Sequence, residues 1–147
     1  MQQGSSSPII ILLSRILSPY IMLFGMYVIF HGHYSPGGGF QGGALLATSI
    51  LLIRISTDEK IHPMHFNKVL AIPLGVLGVL IFFGIGLLSL LLGGNFLDYS
   101  FLPIPGLTSA ELRYFGILFI EVGVGIAVMA ILVSIYDNLI DDEDEDV

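Results

Sequence analysis

Long apolar stretches dominate the chain and are separated by short polar or glycine-rich connections. A helix that crosses about 30 Å of hydrocarbon needs roughly 20 mostly apolar residues. The stretches that reach or approach this length cover residues 8–31, 38–56, 69–92 and 112–136. The pattern therefore predicts an all-α integral membrane protein with four transmembrane helices and a Gly/Pro-rich turn between the first two.

Composition supports a membrane protein and excludes several kinds of chemistry. Of the 147 residues, 54% are hydrophobic and only 12% are charged, whereas about 25% of a typical soluble domain is charged. The absence of cysteine excludes disulfides, thiolate metal ligands and iron–sulfur ligation by this chain. No segment is basic enough to predict nucleic-acid binding, and no cofactor is predicted.

The acidic residues are concentrated at the C-terminus. The formal net charge is −7, and seven of the twelve acids lie in the last eleven residues. We therefore divide the chain into a transmembrane domain, residues 1–136, and an acidic tail, residues 137–147, which is expected to be disordered and solvated. The acids of the tail are Asp137, Asp141, Asp142, Glu143, Asp144, Glu145 and Asp146.

The basic residues predict how the chain sits in the membrane, because cytoplasmic loops carry an excess of Lys and Arg. With a cytoplasmic N-terminus, Arg15, Arg54, Lys60 and Lys68 lie inside and only Arg113 lies outside. The first seven residues contain no Lys or Arg, so no signal peptide is expected. The prediction is a multi-pass protein of the cell membrane with both termini in the cytoplasm.

The sequence HGHYSPGGGFQGG, residues 31–43, joins the first two predicted spans. Each glycine costs a helix about 0.8–1 kcal/mol relative to alanine, so the second span must be buried against neighbouring helices. Gly39, Gly43 and Ala47 are four positions apart and form a small-xxx-small face that lets another helix approach closely. Irregular backbone at membrane depth also needs protein or water around it. This segment is therefore expected to be buried in a larger assembly.

His31 and His33 have three roles open to them. A metal site needs more ligands, and the remaining histidines, His62 and His65, are predicted to lie at the opposite membrane face, so no metal site is predicted. The two histidines can instead cap the carbonyl groups at the end of the first helix. Alternatively, one of them is buried and exchanges protons, because imidazole titrates near neutral pH.

Glu121 is the acid expected near mid-membrane, inside the last predicted span. A charged and unpaired carboxylate there costs at least about 2.5 kcal/mol, so Glu121 should be neutral, paired or hydrated. Two roles stay open: a protonated side chain hydrogen-bonded to a neighbouring helix, or a carboxylate on a proton or cation pathway. Glu111 has a simpler role, since its spacing from Thr108 predicts a capping box.

Residues 30–43, FHGHYSPGGGFQGG, closely resemble the signature of the B-type subunit of Mrp-type multisubunit sodium/proton antiporters. The same B-type domain occurs in Mrp-derived modules of archaeal membrane-bound hydrogenases and related complexes. The resemblance covers most of the chain, with four spans, the Gly/Pro-rich turn and an acid in the last span. The segment Glu121-Val-Gly-Val124 is similar to a family feature in which the acid is commonly aspartate. The acidic tail is not typical of the family.

The resemblance implies a small, non-catalytic subunit that helps to form a sodium or proton path and assembles in the lipid bilayer with larger antiporter-like subunits. The alternative is a purely structural subunit of an Mrp-containing, redox-driven complex such as a membrane-bound hydrogenase, with redox subunits as partners. On either interpretation the chain is not an enzyme on its own. The implied ion-pathway candidates are Glu121, His31 and His33, and the implied packing and assembly residues are Gly37, Gly38, Gly39, Gly42 and Gly43.

Overall fold

The computed structural model describes residues 7–34, 36–57 and 68–145, except for the side chains of residue 68 and residues 141–145. Lys60, His62 and His65 and the last two residues of the acidic tail lie outside the described residues. The described part of the chain forms four long helices and one short 3₁₀ turn, with no strand. The elements are α1 (Pro8–Phe30), α2 (Gly39–Ser56), α3 (Lys68–Leu91), the 3₁₀ turn (Tyr99–Phe101) and α4 (Ser109–Glu145).

All four helices are long and apolar enough to cross a membrane. The predicted all-α membrane fold with four transmembrane helices is therefore confirmed, and the chain is a multi-pass membrane protein. α2 has 18 residues and is the shortest of these helices, about 27 Å at 1.5 Å per residue. Because this is slightly less than the thickness of the hydrocarbon core, the ends of α2 must satisfy their backbone groups within protein.

α4 is longer at both ends than the predicted span, residues 112–136. At its start the predicted capping box is present, because Glu111 Oε2 accepts hydrogen bonds from the Thr108 backbone N–H and hydroxyl, both at 2.8 Å. At its end the helix continues to Glu145. Residues 137–145 are therefore helical in the structure, where a disordered tail was expected.

Asp137 departs most clearly from its predicted place in a solvated tail. Its Oδ1 pairs with Nη1 of Arg54 in the last turn of α2, and the side chains of Arg54 and Asp137 are only 13% and 7% exposed. The other carboxylate oxygen, Oδ2, is buried without a hydrogen-bond partner among the described residues. Asp137 is thus buried rather than solvated, because the positive charge on the last turn of α2 holds it in the helix contact.

The helices pack in the order α1, α2, α4, α3, so α2 and α4 form the central pair. α1 and α2 run antiparallel and are joined by serine hydroxyls. Ser18 Oγ lies 2.8 Å from Ser49 Oγ, and Ser56 Oγ donates to Ser14 Oγ at 2.5 Å. All four serines are buried, so each pair satisfies polar groups that lipid could not.

α2 and α4 run parallel and meet through small residues. A Cβ added at Gly43 would lie 2.5 Å from the Gly125 carbonyl oxygen and 3.0 Å from its Cα. Ala47, one turn further along α2, is 1% exposed. α3 approaches α4 in a similar way, with Gly78 against the Gly123 carbonyl oxygen. Close backbone contact therefore holds both neighbours of α4.

We predict that Gly43→Leu weakens the contact between α2 and α4, because its side chain would occupy the place of the Gly125 backbone. Overpacking of this kind costs about 1–3 kcal/mol, measurable by circular dichroism as a lower free energy of unfolding in detergent micelles. The matched control is Gly84→Leu in α3, where an added Cβ meets nothing within 4 Å. Equal unfolding free energies for the two variants would contradict the contact.

We also predict that Arg54→Leu is strongly destabilising, since it leaves the Asp137 carboxylate buried without this cation. Removing one partner of a buried pair typically costs about 3–5 kcal/mol, whereas replacing both partners by apolar residues is often nearly neutral. The double variant Arg54→Leu/Asp137→Leu should therefore recover much of the loss in the same unfolding assay. The assignment fails if the double variant is less stable than Arg54→Leu alone.

Candidate functional site

Glu121 lies where α4 meets the N-terminus of α2. The Gly39 backbone N–H donates a hydrogen bond to Glu121 Oε2, and Gly38 is the N-cap residue of α2. The first N–H groups of a helix lack intrahelical partners and form the positive end of the helix dipole. The N-cap residue provides no side-chain hydrogen bond, so the Glu121 carboxyl group supplies the cap from another helix.

Three glycines surround this carboxyl group, and we call Gly32, Gly38 and Gly39 the glycine cradle. An added Cβ would lie 3.2 Å from Glu121 Cδ at Gly32, 2.5 Å from Oε2 at Gly38 and 3.0 Å from Oε2 at Gly39. Gly38 also has a φ of 99°, which residues with a Cβ rarely adopt. Gly32 was not among the predicted site residues, since nothing near it in the sequence links it to position 121.

The predicted assembly glycines therefore divide into two groups. Gly38 and Gly39 belong to the cradle around Glu121. Gly37 turns the chain beside α1 with a φ of 148°, while Gly42 packs against α1 and Gly43 against α4. These contacts lie within this chain, so the glycines build the subunit itself.

His31 follows α1 directly and supports the end of that helix. Its Nδ1 lies 3.0 Å from the Tyr27 carbonyl oxygen, and the two rings stack with their centroids 4.1 Å apart. The side chain is exposed. This geometry matches the capping role considered from the sequence. In the described part of the chain, no three His, Asp or Glu side chains are placed to hold a metal ion.

His33 lies in the turn with its ring against α4. The ring centroid is 4.1 Å from that of Tyr34 and 4.5 Å from that of Tyr114, and the second contact is nearly perpendicular at 83°. Both ring nitrogens are buried, and neither has a hydrogen-bond partner among the described residues. Tyr114 precedes Glu121 by seven positions and shares its face of α4. His33 thus packs over that face, nearer the start of the helix.

Tyr99 approaches the same region from the 3₁₀ turn and was not among the residues predicted from the sequence. Its ring packs over Gly116 of α4, where an added Cβ would lie 2.5 Å from Tyr99 Cγ. Burial raises the pKa of the Tyr99 phenol, and the Glu121 carboxylate raises it further. Because the usual pKa of a phenol is about 10, Tyr99 stays neutral at physiological pH. No spacing pattern reveals this contact, since the two residues lie on different elements.

The N-terminus of α2 stabilises a negative charge on Glu121. The structure places the carboxyl group level with Gly39, the first residue of α2, rather than beside the middle of that helix. A helix N-terminus stabilises a nearby anion by about 0.3–1 kcal/mol, or by up to about 2 kcal/mol in a partly buried geometry.

Residues 9–134 match the family described as a domain related to the MnhB subunit of the Na+/H+ antiporter. The B-type subunit of the Na+/H+ antiporter of Alkalihalophilus pseudofirmus is 34% identical over 128 residues, which cover 80% of this chain and 85% of the relative. That of Bacillus subtilis is 32% identical over 139 residues, with 87% and 94% covered. An uncharacterised protein of Methanocaldococcus jannaschii is 33% identical over 132 residues, which cover 86% of this chain but only half (50%) of that protein.

A solved structure has a similar fold. It belongs to the membrane-bound sulfane sulfur reductase, an archaeal respiratory membrane complex, and one of its chains matches with a TM-score of 0.71 and 34% sequence identity. The match covers 95% of this chain and 60% of the other. The family match includes the Gly/Pro-rich turn, the glycine cradle and Glu121. By its sequence and its fold, this chain belongs to the MnhB-domain family.

Proposed function

We propose that this chain is a small membrane subunit of a multisubunit Mrp-type cation/proton antiporter, and that Glu121 binds the proton or cation on its path. The observation that carries the proposal is the position of the Glu121 carboxyl group, held at the N-terminus of α2 inside the glycine cradle. The two bacterial relatives, which are named as B-type subunits of Na+/H+ antiporters, support the same function. Larger antiporter-like subunits are the expected partners.

The two carboxylate oxygens of Glu121 are suited to different tasks. Oε2 is held by the Gly39 N–H, whereas Oε1 has no hydrogen-bond partner among the described residues. A proton or a monovalent cation can therefore bind at Oε1 without removing the cap of α2. Exchange of one for the other at a single carboxylate leaves the net charge of the site unchanged, which avoids burying an additional charge.

His33 is proposed as a second group on this path. Its buried ring nitrogens, without partners among the described residues, support this role, as does its contact with the face of α4 that carries Glu121. His31 is proposed to lie at the edge of the path, because its side chain is exposed. Imidazoles pass protons at neutral pH, so both residues suit proton movement to and from the surface.

The parent complex is proposed to be an antiporter rather than a redox-driven pump. The matches to the two bacterial antiporter proteins cover 85% and 94% of those relatives, whereas the chain spans 60% of the matched chain from the respiratory complex. From the distribution of basic residues, both termini are proposed to be cytoplasmic. Mass spectrometry of the subunits that co-purify with the tagged chain in mild detergent distinguishes antiporter-like partners from hydrogenase-like or iron–sulfur partners.

Glu121→Gln should reduce cation-dependent proton exchange to background in membrane vesicles that contain the whole complex, because an amide does not titrate. The glutamine carbonyl oxygen can still accept the Gly39 N–H bond, so the complex should assemble. The matched control is Glu111→Gln, which changes an exposed capping residue at the start of the same helix and should retain exchange. Normal exchange by an assembled Glu121→Gln complex would remove Glu121 from the mechanism.

A purely structural subunit is the second candidate function, and the bond between Gly39 and Glu121 is the observation that favours it. The N-cap residue of α2 provides no side-chain cap, so the carboxyl group of Glu121 stabilises α2 whether or not ions pass. If the subunit is purely structural, the complex with Glu121→Gln should assemble and should show normal cation-dependent proton exchange.

Gly38→Ala measures how tightly the cradle confines Glu121. Gly38 and Gly106 both have positive φ angles, 99° and 88°, so alanine strains the backbone at both positions. At Gly38 the new Cβ would lie 2.5 Å from Glu121 Oε2, whereas at Gly106 it would meet nothing within 4 Å. We expect Gly38→Ala to lower the free energy of unfolding by about 1–3 kcal/mol more than Gly106→Ala, the usual cost of a buried hydrogen bond left unmade. Equal losses would show that the cradle does not confine the carboxyl group.

A further inference from the structure

A cavity of about 430 Å³ opens where residues 92–108 connect α3 to α4, and we call this end of the bundle the loop end. The lining residues are Phe96, Leu97, Asp98, Tyr99, Arg113 and Ile117. The lining therefore combines one acidic and one basic side chain, Asp98 and Arg113, with aromatic and aliphatic side chains. At roughly 30 Å³ per molecule, the cavity has room for several waters.

The cavity lies beside the face of α4 that also carries Glu121. Arg113, Ile117 and Glu121 are spaced four apart and lie along one face of that helix. The wall at Ile117 is therefore about one helical turn, or about 5.4 Å, from the level of Glu121. Tyr99 lines the cavity and packs over Gly116, next to Ile117 in the chain. Burial and, to a smaller extent, the charge of the Glu121 carboxylate raise the pKa of the Tyr99 phenol.

Several local contacts hold the backbone that carries Tyr99. Asp98 caps the 3₁₀ turn by accepting hydrogen bonds from the Ser100 N–H at 3.3 Å and from its hydroxyl at 2.5 Å. The preceding residue, Leu97, has a φ of 65°, a left-handed conformation that costs a residue with a Cβ about 1–2 kcal/mol. Phe96 packs against Gly86 of α3 and anchors the other side of the segment. These contacts set the Tyr99 ring on Gly116.

We propose that this cavity is the route by which water reaches Glu121 from the loop end, and that Tyr99, seated on Gly116, is the positioning residue that closes it. The inference rests on the proposed ion-handling role of Glu121 and adds an entrance to it. The neutral aromatic ring separates the water in the cavity from the glycine cradle. When this ring moves away from Gly116, the water in the cavity reaches the glycine cradle and Glu121.

Thiol labelling tests the closure directly, because the chain contains no cysteine. The assembled complex is treated with a membrane-impermeant methanethiosulfonate, and labelling of this chain is followed by mass spectrometry. Ile117→Cys should react, since Ile117 lines the cavity. Glu121→Cys should react slowly, and adding Tyr99→Ala should raise its rate at least about tenfold, because thiol reactivity follows exposure. Tyr99→Phe retains the ring and should leave the rate low.

A second measurement tests the same closure without substituting Glu121, by following chemical modification of its carboxyl group. The added Cβ of Gly116→Ala would lie 2.5 Å from Tyr99 Cγ and should displace the ring. A water-soluble carbodiimide should then modify Glu121 faster than in the unchanged chain. The matched control is Gly84→Ala, where an added Cβ meets nothing within 4 Å and the modification rate should stay unchanged.

Three results would overturn the proposal: fast labelling at position 121 with Tyr99 in place, equal rates for Tyr99→Phe and Tyr99→Ala, or no labelling at position 117. The exchange assay keeps this failure distinct from failure of the proposed function. If labelling follows expectation while Glu121→Gln retains exchange, Tyr99 closes a water route and only the ion-handling role fails. If Glu121→Gln loses exchange while the Tyr99 variants leave labelling unchanged, Glu121 keeps its role and its entrance lies elsewhere.

Discussion

The fold depends on how the two ends of α2 are satisfied inside a membrane. α4 meets both ends: Glu121 accepts the Gly39 N–H at the N-terminus, and Asp137 pairs with Arg54 in the last turn. Both charges are favourable for the dipole of α2, because an anion such as Glu121 stabilises a helix N-terminus and a cation such as Arg54 stabilises a C-terminus. The two acids are 16 positions apart and their partners 15, so about 24 Å of α4 matches about 22 Å of α2. These matched lengths fix the register of the two parallel helices.

Small residues between these two anchors allow the backbones to approach. Lipid tails are as apolar as the helices, so burial of apolar surface gives little net attraction, and close packing must replace it. The contact of Gly43 with Gly125 and the full burial of Ala47 supply that packing. The glycines that make α2 a poor helix in isolation are therefore the residues that stabilise it in the bundle. α1 and α3 add to this central pair and leave broad apolar surfaces exposed.

The sequence predicts the features that depend on length or on near neighbours. Apolar length predicts the four helices because the bilayer imposes it, and the Thr108–Glu111 capping box is predictable because its partners are three positions apart. The bond between Gly39 and Glu121 joins residues 82 positions apart, and no spacing rule relates positions on separate helices. Asp137 was assigned to the solvated tail for the same reason. The nearest acids in sequence begin at Asp141 in the tail, while the arginine that holds Asp137 is 83 positions away.

The bond that caps α2 also orients the candidate ion-binding group, and a carboxyl group can serve both purposes because it has two acceptor oxygens. Oε2 accepts the Gly39 N–H in either protonation state, provided that the proton resides on Oε1. A proton or cation bound at Oε1 would therefore leave the hydrogen bond that caps α2 in place. The glycine cradle allows the carboxyl group to lie at the helix terminus with Oε2 on the Gly39 N–H and Oε1 left for a proton or cation. A Cβ at Gly38 or Gly39 would push the carboxyl group away from the helix terminus, and the cap and the candidate ion-binding oxygen would be displaced together.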